Sequence, residues 1–494
     1  LLIIHREAAK VFLVLFSKKE QKRSDCMIRP TLAQAKAAAQ HHSIVPIALE
    51  IFSDTKTPME ILRQMRRHSE DWFILESVNG GDSWGRYTFL GYKPVQQICT
   101  GGIAEIRKLV QKYRSARMKD LPPFTGGFVG YFAYDFVQQF IPGLQLHAKN
   151  DENFADFHLM LIDKVVAFDH FKQKIYLIVN VPAQDIESSY IAGVQTLKDM
   201  EHVLMAQVNA EPEQSHCGEF SALHSKDEFF AMVANVQHHI KEGDIFQAVI
   251  SNRFSASFTG SLLNTYRLLR TINPSPYMCH MKLGGLEIAC ASPETLVSLQ
   301  DGKLSSFPLA GTCKRGATPE EDSALINALL SNEKELAEHD MLVDLARNDL
   351  GRVAQFGSVQ VQDYRAIKKF SHVSHISSHV VGKLKPDYDA LDVLAATLPA
   401  GTLSGAPKKR ACEIIDACEG QKRGAYGGAL GYIDFTGNMD MCIGIRMAVL
   451  KDNRVHVQAG AGVVAESTPE AEYAEVQNKA FAMMLALQGA GGLT

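Results

Sequence analysis

The chain has 494 residues, 46% of them hydrophobic, which is enough for a large core and, by length alone, two or three domains. Its net charge is only −4, so no charge excess favours nucleic acid or an anionic membrane surface as a partner. Nine scattered cysteines with no Cys-x-x-Cys pair fit a reducing, cytoplasmic setting and argue against a disulfide framework or a structural zinc site.

The longest early apolar run, 11–16, is too short to span a bilayer, and no small-residue cleavage site follows it. No membrane association is expected. Met27 opens a more ordinary globular stretch, and 1–26 read as an upstream extension or a poorly ordered tail. The whole of 1–43 is set aside as an N-terminal extension. Residues 44–207 then read as one domain of mixed strands and helices, with strand runs at 72–75 and 174–179. Residues 208–224 are polar and aperiodic, as a linker would be.

A new pattern starts at Ser225, which has capping-box spacing to Glu228. Phe229, Met232, Val233, Val236 and Ile240 recur at helical spacing, and Gly243 is a natural stop. A strand candidate follows at 245–254. From there strands and helices alternate without internal repeat, which suggests one α+β catalytic domain over 225–488 and a short tail, 489–494.

Several segments in this half suit a small anion. Leu309-Ala-Gly-Thr312 and Ala459-Gly-Ala-Gly462 bring backbone within reach of a ligand, because glycine has no Cβ. Pro399-Ala-Gly-Thr-Leu-Ser-Gly-Ala-Pro407 sets Thr402 and Ser404 ahead of a helix from about Pro407, where N–H groups and hydroxyls suit a carboxylate. Arg446 falls inside an apolar strand candidate, 441–450, and a buried arginine needs an anionic partner.

Two helices carry paired carboxylates. The segment 333–347 is rich in helix formers, and Glu335 and Glu338 share one of its faces. A second helix is predicted from Pro469, capped by Ser467 or Thr468, and there Glu472 and Glu475 share a face. Together they suit Mg²⁺, which takes one or two carboxylates plus water and substrate oxygens. Alone, such a pair is more often a solvated face, and a lone glycine cluster more often a turn. No Walker A or dinucleotide fingerprint is present.

Motifs falling in order carry more weight. They are Ala291-Ser-Pro-Glu294, Pro308-Leu-Ala-Gly-Thr312, Lys334-Glu-Leu-Ala-Glu-His339, Val343-Asp-Leu-Ala-Arg-Asn-Asp-Leu-Gly351, His372-Val-Ser-His-Ile376, Ala400-Gly-Thr-Leu-Ser-Gly-Ala-Pro407, Gly460-Ala-Gly462, and Glu472-Tyr-Ala-Glu475 with Asn478 and Lys479. This set resembles the chorismate-utilising enzyme family. The resemblance implies an α+β fold of large antiparallel sheets with helices outside, divided into an N-terminal regulatory part and a catalytic part.

It also implies roles. Glu338 and Glu475 would bind Mg²⁺ directly, with Glu335 and Glu472 acting through water or nearby. Tyr426, Arg446, Gly460, Gly462 and Thr312 would hold the substrate carboxylates, in segments that include Gly311, Thr402 and Ala461. Glu294 would protonate the departing C4 hydroxyl, so its site must raise its pKa. His375 would assist the later loss of pyruvate.

Two positions select a branch of the family. Members that add water at C2 carry a lysine base where this chain has Gln247. Ammonia is already nucleophilic and needs no such base. Members that form 4-amino-4-deoxychorismate carry a nucleophilic lysine where this chain has Ala310. The resemblance is thus to the anthranilate-forming large subunits, which aminate chorismate at C2 and eliminate pyruvate.

Upstream, Leu75-Glu-Ser77 resembles a tryptophan-feedback motif, with Glu76 for the ligand's ammonium and Ser77 for a further polar contact. Pro276, Tyr277, Met278 and Tyr432 resemble the rest of that pocket. No Gly-x-Cys-x-Gly elbow is present, which implies a separate glutamine amidotransferase subunit, in a heterotetramer. The chain departs from the family at Cys313-Lys314, where Arg-Pro is usual, and at Ser374, where Met usually precedes the histidine. The alternatives are a 4-amino-4-deoxychorismate synthase and a non-catalytic amino-acid-binding regulator on the same fold.

Overall fold

The computed structural model describes residues 28–77, 85–207, 213–369 and 373–492. The expected tail at 1–26 lies outside them. The fold is α+β, and every strand pair in its two large sheets is antiparallel. One sheet has 14 strands among the described residues and the other 10.

Strand Trp72–Glu76 shows why these sequences become buried strands. Side chains alternate across a strand. Trp72 and Ile74 therefore pack under helices on the outer face, while Phe73 and Leu75 enter the core between the two sheets. Lys174–Pro182 divides its residues the same way, Ile175 and Leu177 outward, Tyr176 and Ile178 inward. A strand buried on both faces reads as a continuous apolar run.

The outer face of the 14-stranded sheet is covered by helices that include Pro58–His68, Ile186–Met205, Lys226–Lys241 and Pro469–Gly489. The outer face of the 10-stranded sheet is covered by Ile103–Lys112, Glu333–Val353 and Ala390–Thr397. Ser225 forms the expected capping box with Glu228. Thr468 holds the cap position of the last long helix but makes no capping bond, and the Ser467 hydroxyl accepts from Val464 N instead, at 3.0 Å.

Strands from 44–207 and 225–488 are interleaved. Met278 pairs with Glu76 in one sheet, and Leu430 pairs with Tyr131 in the other. Residues 28–43, placed by sequence in an extension, carry strand Ile28–Arg29 and helix Leu32–Ala39, tied to the sheet through the pair Ile28 and Leu49. Of the polar stretch 208–224, His216–Cys217 and Ser221–Ala222 lie along strand Gln247–Thr259. Two-residue strands are too short to leave a periodic signal. Among the described residues, no helix is long and apolar enough to cross a membrane.

Candidate active site

The chain passes from one sheet to the other at several points, and the candidate site is built on two that lie side by side. Strand Leu286–Ser292 belongs to the large sheet and Thr295–Gln300 to the small one, with Pro293 and Glu294 between. Strand Met439–Ile443 returns from the small sheet to Met447–Lys451 in the large one, with Gly444, Ile445 and Arg446 between. Backbone bonds clamp the crossovers together: Ile443 N donates to Glu294 O and Ala291 N to Arg446 O, both at 3.0 Å.

The single strand expected at 441–450 is therefore two strands. The switch is tight, with Ile445 N donating to Ile443 O at 2.9 Å and Arg446 at φ +50°. Both strands lie in apolar cores, so the sequence is apolar on either side of Arg446 and leaves little mark of the change of sheet. Arg446 is partly buried and forms no ion pair among the described residues. Its guanidinium reaches Lys479 O at 3.5 Å, and it lies within electrostatic reach of Tyr426, Glu475 and His375. A partly desolvated arginine without a carboxylate suits an anionic ligand.

Glu294 accepts a hydrogen bond from Thr402 Oγ1 at 3.0 Å. Thr402 sits in the 3₁₀ turn Gly401–Leu403, ahead of helix Lys408–Glu419. Desolvation outweighs that bond and the charge of Lys479, and pushes the Glu294 carboxyl up to about 7. Glu294, Thr402, Pro308, Leu342 and Asp349 line a small cavity of about 50 Å³.

Strand Arg454–Val463 runs beside Gln247–Thr259, with Gly462 opposite Val249 and Gly460 opposite Ser251. A Cβ at Gly460 would lie 2.9 Å from Tyr426 Oη and 2.8 Å from Ile250 O. One at Gly462 would lie 3.1 Å from Gln247 Nε2. These glycines admit the tyrosine and the glutamine to the strand surface. Ala461, between them, turns its methyl into the helix-covered core and offers the site only backbone.

On the other sheet, Thr312 stands opposite His375, with a register shift between Ala310 and Thr312, where Gly311 has φ +74°. His375 Nδ1 lies 2.8 Å from Thr312 Oγ1 and 3.3 Å from Gly311 O. We assign its proton to Nδ1 on that carbonyl, which makes Nε2 the basic nitrogen. Burial holds the imidazole below its ordinary pKa. Ala310 is buried opposite Ile376, and the Ser374 hydroxyl is buried without a partner among the described residues.

The paired glutamates come from helices Glu333–Val353 and Pro469–Gly489. A Cβ on Gly311 would lie 3.3 Å from Glu335 Oε2, so the first helix faces the His375 strand. Desolvation, then repulsion from Glu335 and Glu475, holds the Glu338 carboxyl above its ordinary range. Desolvation, then Glu475, does the same to Glu472 despite a bond to Ser467. Glu475 pairs with Lys479 at 2.6 Å, and Lys479 Nζ also donates to Gly460 O at 3.1 Å. Among the described residues, no three acidic, imidazole or thiol groups converge to hold a metal by themselves. Mutually repelling carboxylates nevertheless fit Mg²⁺, whose remaining ligands are water and substrate oxygens.

A second, larger cavity of about 910 Å³ is lined by Glu76, Ser77, Pro276, Tyr277, Tyr432 and Asp440, among others. Met278 is not part of it. Alternation along strand Tyr277–Leu283 sends Met278 into the helix-covered core and its neighbours Tyr277 and Cys279 to the cavity. The Glu76 carboxylate is already gripped, by Arg270 Nε at 2.9 Å, Arg270 Nη2 at 3.1 Å and the Tyr266 hydroxyl at 2.6 Å. The Ser77 hydroxyl is buried without a partner among the described residues. Tyr277 donates to Asp440 at 2.9 Å, and Tyr432 packs on Phe124.

Sequence reasoning assigned no role to Arg270, Asp440, Glu419, Arg423 or Lys479. Only Lys479 left a signal, as part of the quoted Asn478-Lys479 motif.

The chain is similar to known proteins along most of its length. The family model described as chorismate binding enzyme matches residues 76–485. Anthranilate synthase component 1 of Acetivibrio thermocellus is 42% identical over 94% of this chain and 99% of its own length. That of Aquifex aeolicus (strain VF5) is 42% identical over 93% and 97%. The crystal structure of anthranilate synthase component I from Streptococcus pneumoniae TIGR4 superposes with a TM-score of 0.74 at 36% identity, covering 88% of this chain and 98% of that one. The chain belongs to the chorismate binding enzyme family, in the branch of the anthranilate synthase component 1 proteins.

Proposed function

We propose that this chain is the chorismate-aminating large subunit of an anthranilate synthase, a lyase that forms anthranilate and pyruvate at the start of tryptophan synthesis. The observation that carries the reading is Glu294: a carboxyl pushed up to about 7 by desolvation, on the crossover clamped beside Arg446.

Arg446, Tyr426, Thr312 and the Gly460 and Gly462 backbone orient the two substrate carboxylates. Glu335, Glu338, Glu472 and Glu475 are the residues that would hold Mg²⁺. The bound cation supplies positive charge that neutralises a substrate carboxylate. Ammonia attacks C2, and protonated Glu294 gives its proton to the C4 hydroxyl, which leaves as water. Gln247 and Ala310 supply no competing lysine, so direct attack by ammonia is unopposed. His375, with its proton on Nδ1, faces the later pyruvate elimination through basic Nε2.

Glutamine enters through a separate amidotransferase subunit, in a heterotetramer in the cytoplasm. L-tryptophan binds the larger cavity, with Ser77 as a polar contact and Glu76 for its ammonium. It inhibits by binding the inactive state more tightly.

The test is incubation with chorismate, ammonium and Mg²⁺, with the product identified by fluorescence and mass. Anthranilate is expected, suppressed by tryptophan. 4-Amino-4-deoxychorismate, or tryptophan binding without turnover, would replace this reading by one of its alternatives.

A further inference from the structure

The most deeply buried ion pair near the site contains no residue expected to contact the substrate. Glu419 and Arg423 are only 4% and 3% exposed. Arg423 donates through Nε to Glu419 Oε2 at 2.8 Å and through Nη2 to Oε1 at 2.5 Å. Burying such a pair costs so much desolvation that an apolar pair of the same volume is often as stable. Stability alone therefore does not account for it.

Its remaining side-chain bonds end on the Thr402 turn and on strand Gln247–Thr259, which pairs with the Gly460 to Gly462 strand. Arg423 Nη1 donates to Leu403 O at 2.7 Å, the residue after Thr402. Nη2 donates to Val249 O at 2.7 Å, opposite Gly462. Glu419 Oε1 accepts from Ser251 N at 2.7 Å and Ser251 Oγ at 2.8 Å, opposite Gly460. The guanidinium also lies over the Tyr426 ring, 5.7 Å from its centroid. Asp135 fixes the turn beneath, accepting from Gly424 N at 2.9 Å.

We infer that Glu419 and Arg423 are positioning residues for the reaction, setting the Thr402 turn, the Gly460 to Gly462 strand and Tyr426 in one mutual geometry. The inference rests on the proposed function of that site. Thr402 carries the effect to Glu294, and the glycine strand and Tyr426 carry it to the substrate carboxylates. Small misplacements of such groups cost up to roughly a hundredfold in rate.

The test compares E419Q, the apolar double variant E419L/R423M and T402V with the wild type. It measures KM for chorismate, the pH profile of kcat at constant unprotonated ammonia, and thermal unfolding. Both pair variants should raise KM roughly tenfold or more. They should also move the alkaline limb upward, as T402V does. If E419Q fails to fold, the double variant, which leaves no unpaired charge, decides. A folded variant with wild-type KM and an unmoved limb overturns the inference, whatever its melting temperature. Absence of wild-type turnover would instead overturn the function on which it rests.

Discussion

Glu294 and Glu76 are glutamates at strand boundaries, each lining a cavity, yet their surroundings are opposite. Glu76 is held by the Arg270 guanidinium and the Tyr266 hydroxyl, beside a cavity of about 910 Å³. Glu294 has one hydroxyl, from Thr402, beside a cavity of about 50 Å³, and desolvation dominates its carboxyl. One environment pairs the carboxyl group with a cation and a hydroxyl, and the other keeps a transferable proton near neutral pH. The same side chain is thus set among binding contacts in one place and in a desolvated pocket in the other.

Among substitutions, the largest effect should come from Glu294→Gln. It removes the proton and keeps the shape, and should lower kcat for anthranilate formation by roughly 10²- to 10⁴-fold with tryptophan binding intact. A loss of only a few-fold in steady-state assays would break the contrast. Glu76→Gln should do the reverse. It should raise the half-inhibitory tryptophan concentration roughly 30-fold or more, the scale for a buried charged partner, and leave the uninhibited rate in place.

Chelation should abolish activity and added Mg²⁺ restore it. Glu335→Gln should raise the Mg²⁺ concentration for half-maximal rate by about 10- to 100-fold, as expected for a residue supporting the ligands. An unchanged Mg²⁺ titration would remove Glu335 from that role. The smallest effect sharpens the Glu294 side. Thr402 stabilises the ionised carboxyl, so Thr402→Val should move the alkaline limb of kcat upward, by roughly one pH unit or less. A downward shift would contradict the assigned bond.

Much of this was legible in the sequence because it is local. The Ser225 capping box, the glutamate pairs on their helices and the glycines of 459–462 depend on spacing within one element. The two-faced strand Trp72–Glu76 was legible as a strand, although its partners were not. What escaped notice is set by residues far apart in the chain. The sheet switch at Gly444 to Arg446 was hidden because both flanking strands are apolar. Met278 was grouped with Tyr277 by motif, and only the strand's period of two separates them. Arg270 meets Glu76 across 194 residues, a pairing no local pattern encodes. The interleaving of the two halves, with Met278 beside Glu76, has the same origin.

The central claim is that Glu294 works as an acid because its site is dry. The pH dependence of kcat at constant unprotonated ammonia tests this most directly. The acid is present below its pKa and lost above it, so the wild-type rate should fall as pH rises through about 7. The residual rate of Glu294→Gln should lack that fall. A flat wild-type profile through neutral pH, or the same limb in the variant, would contradict the account.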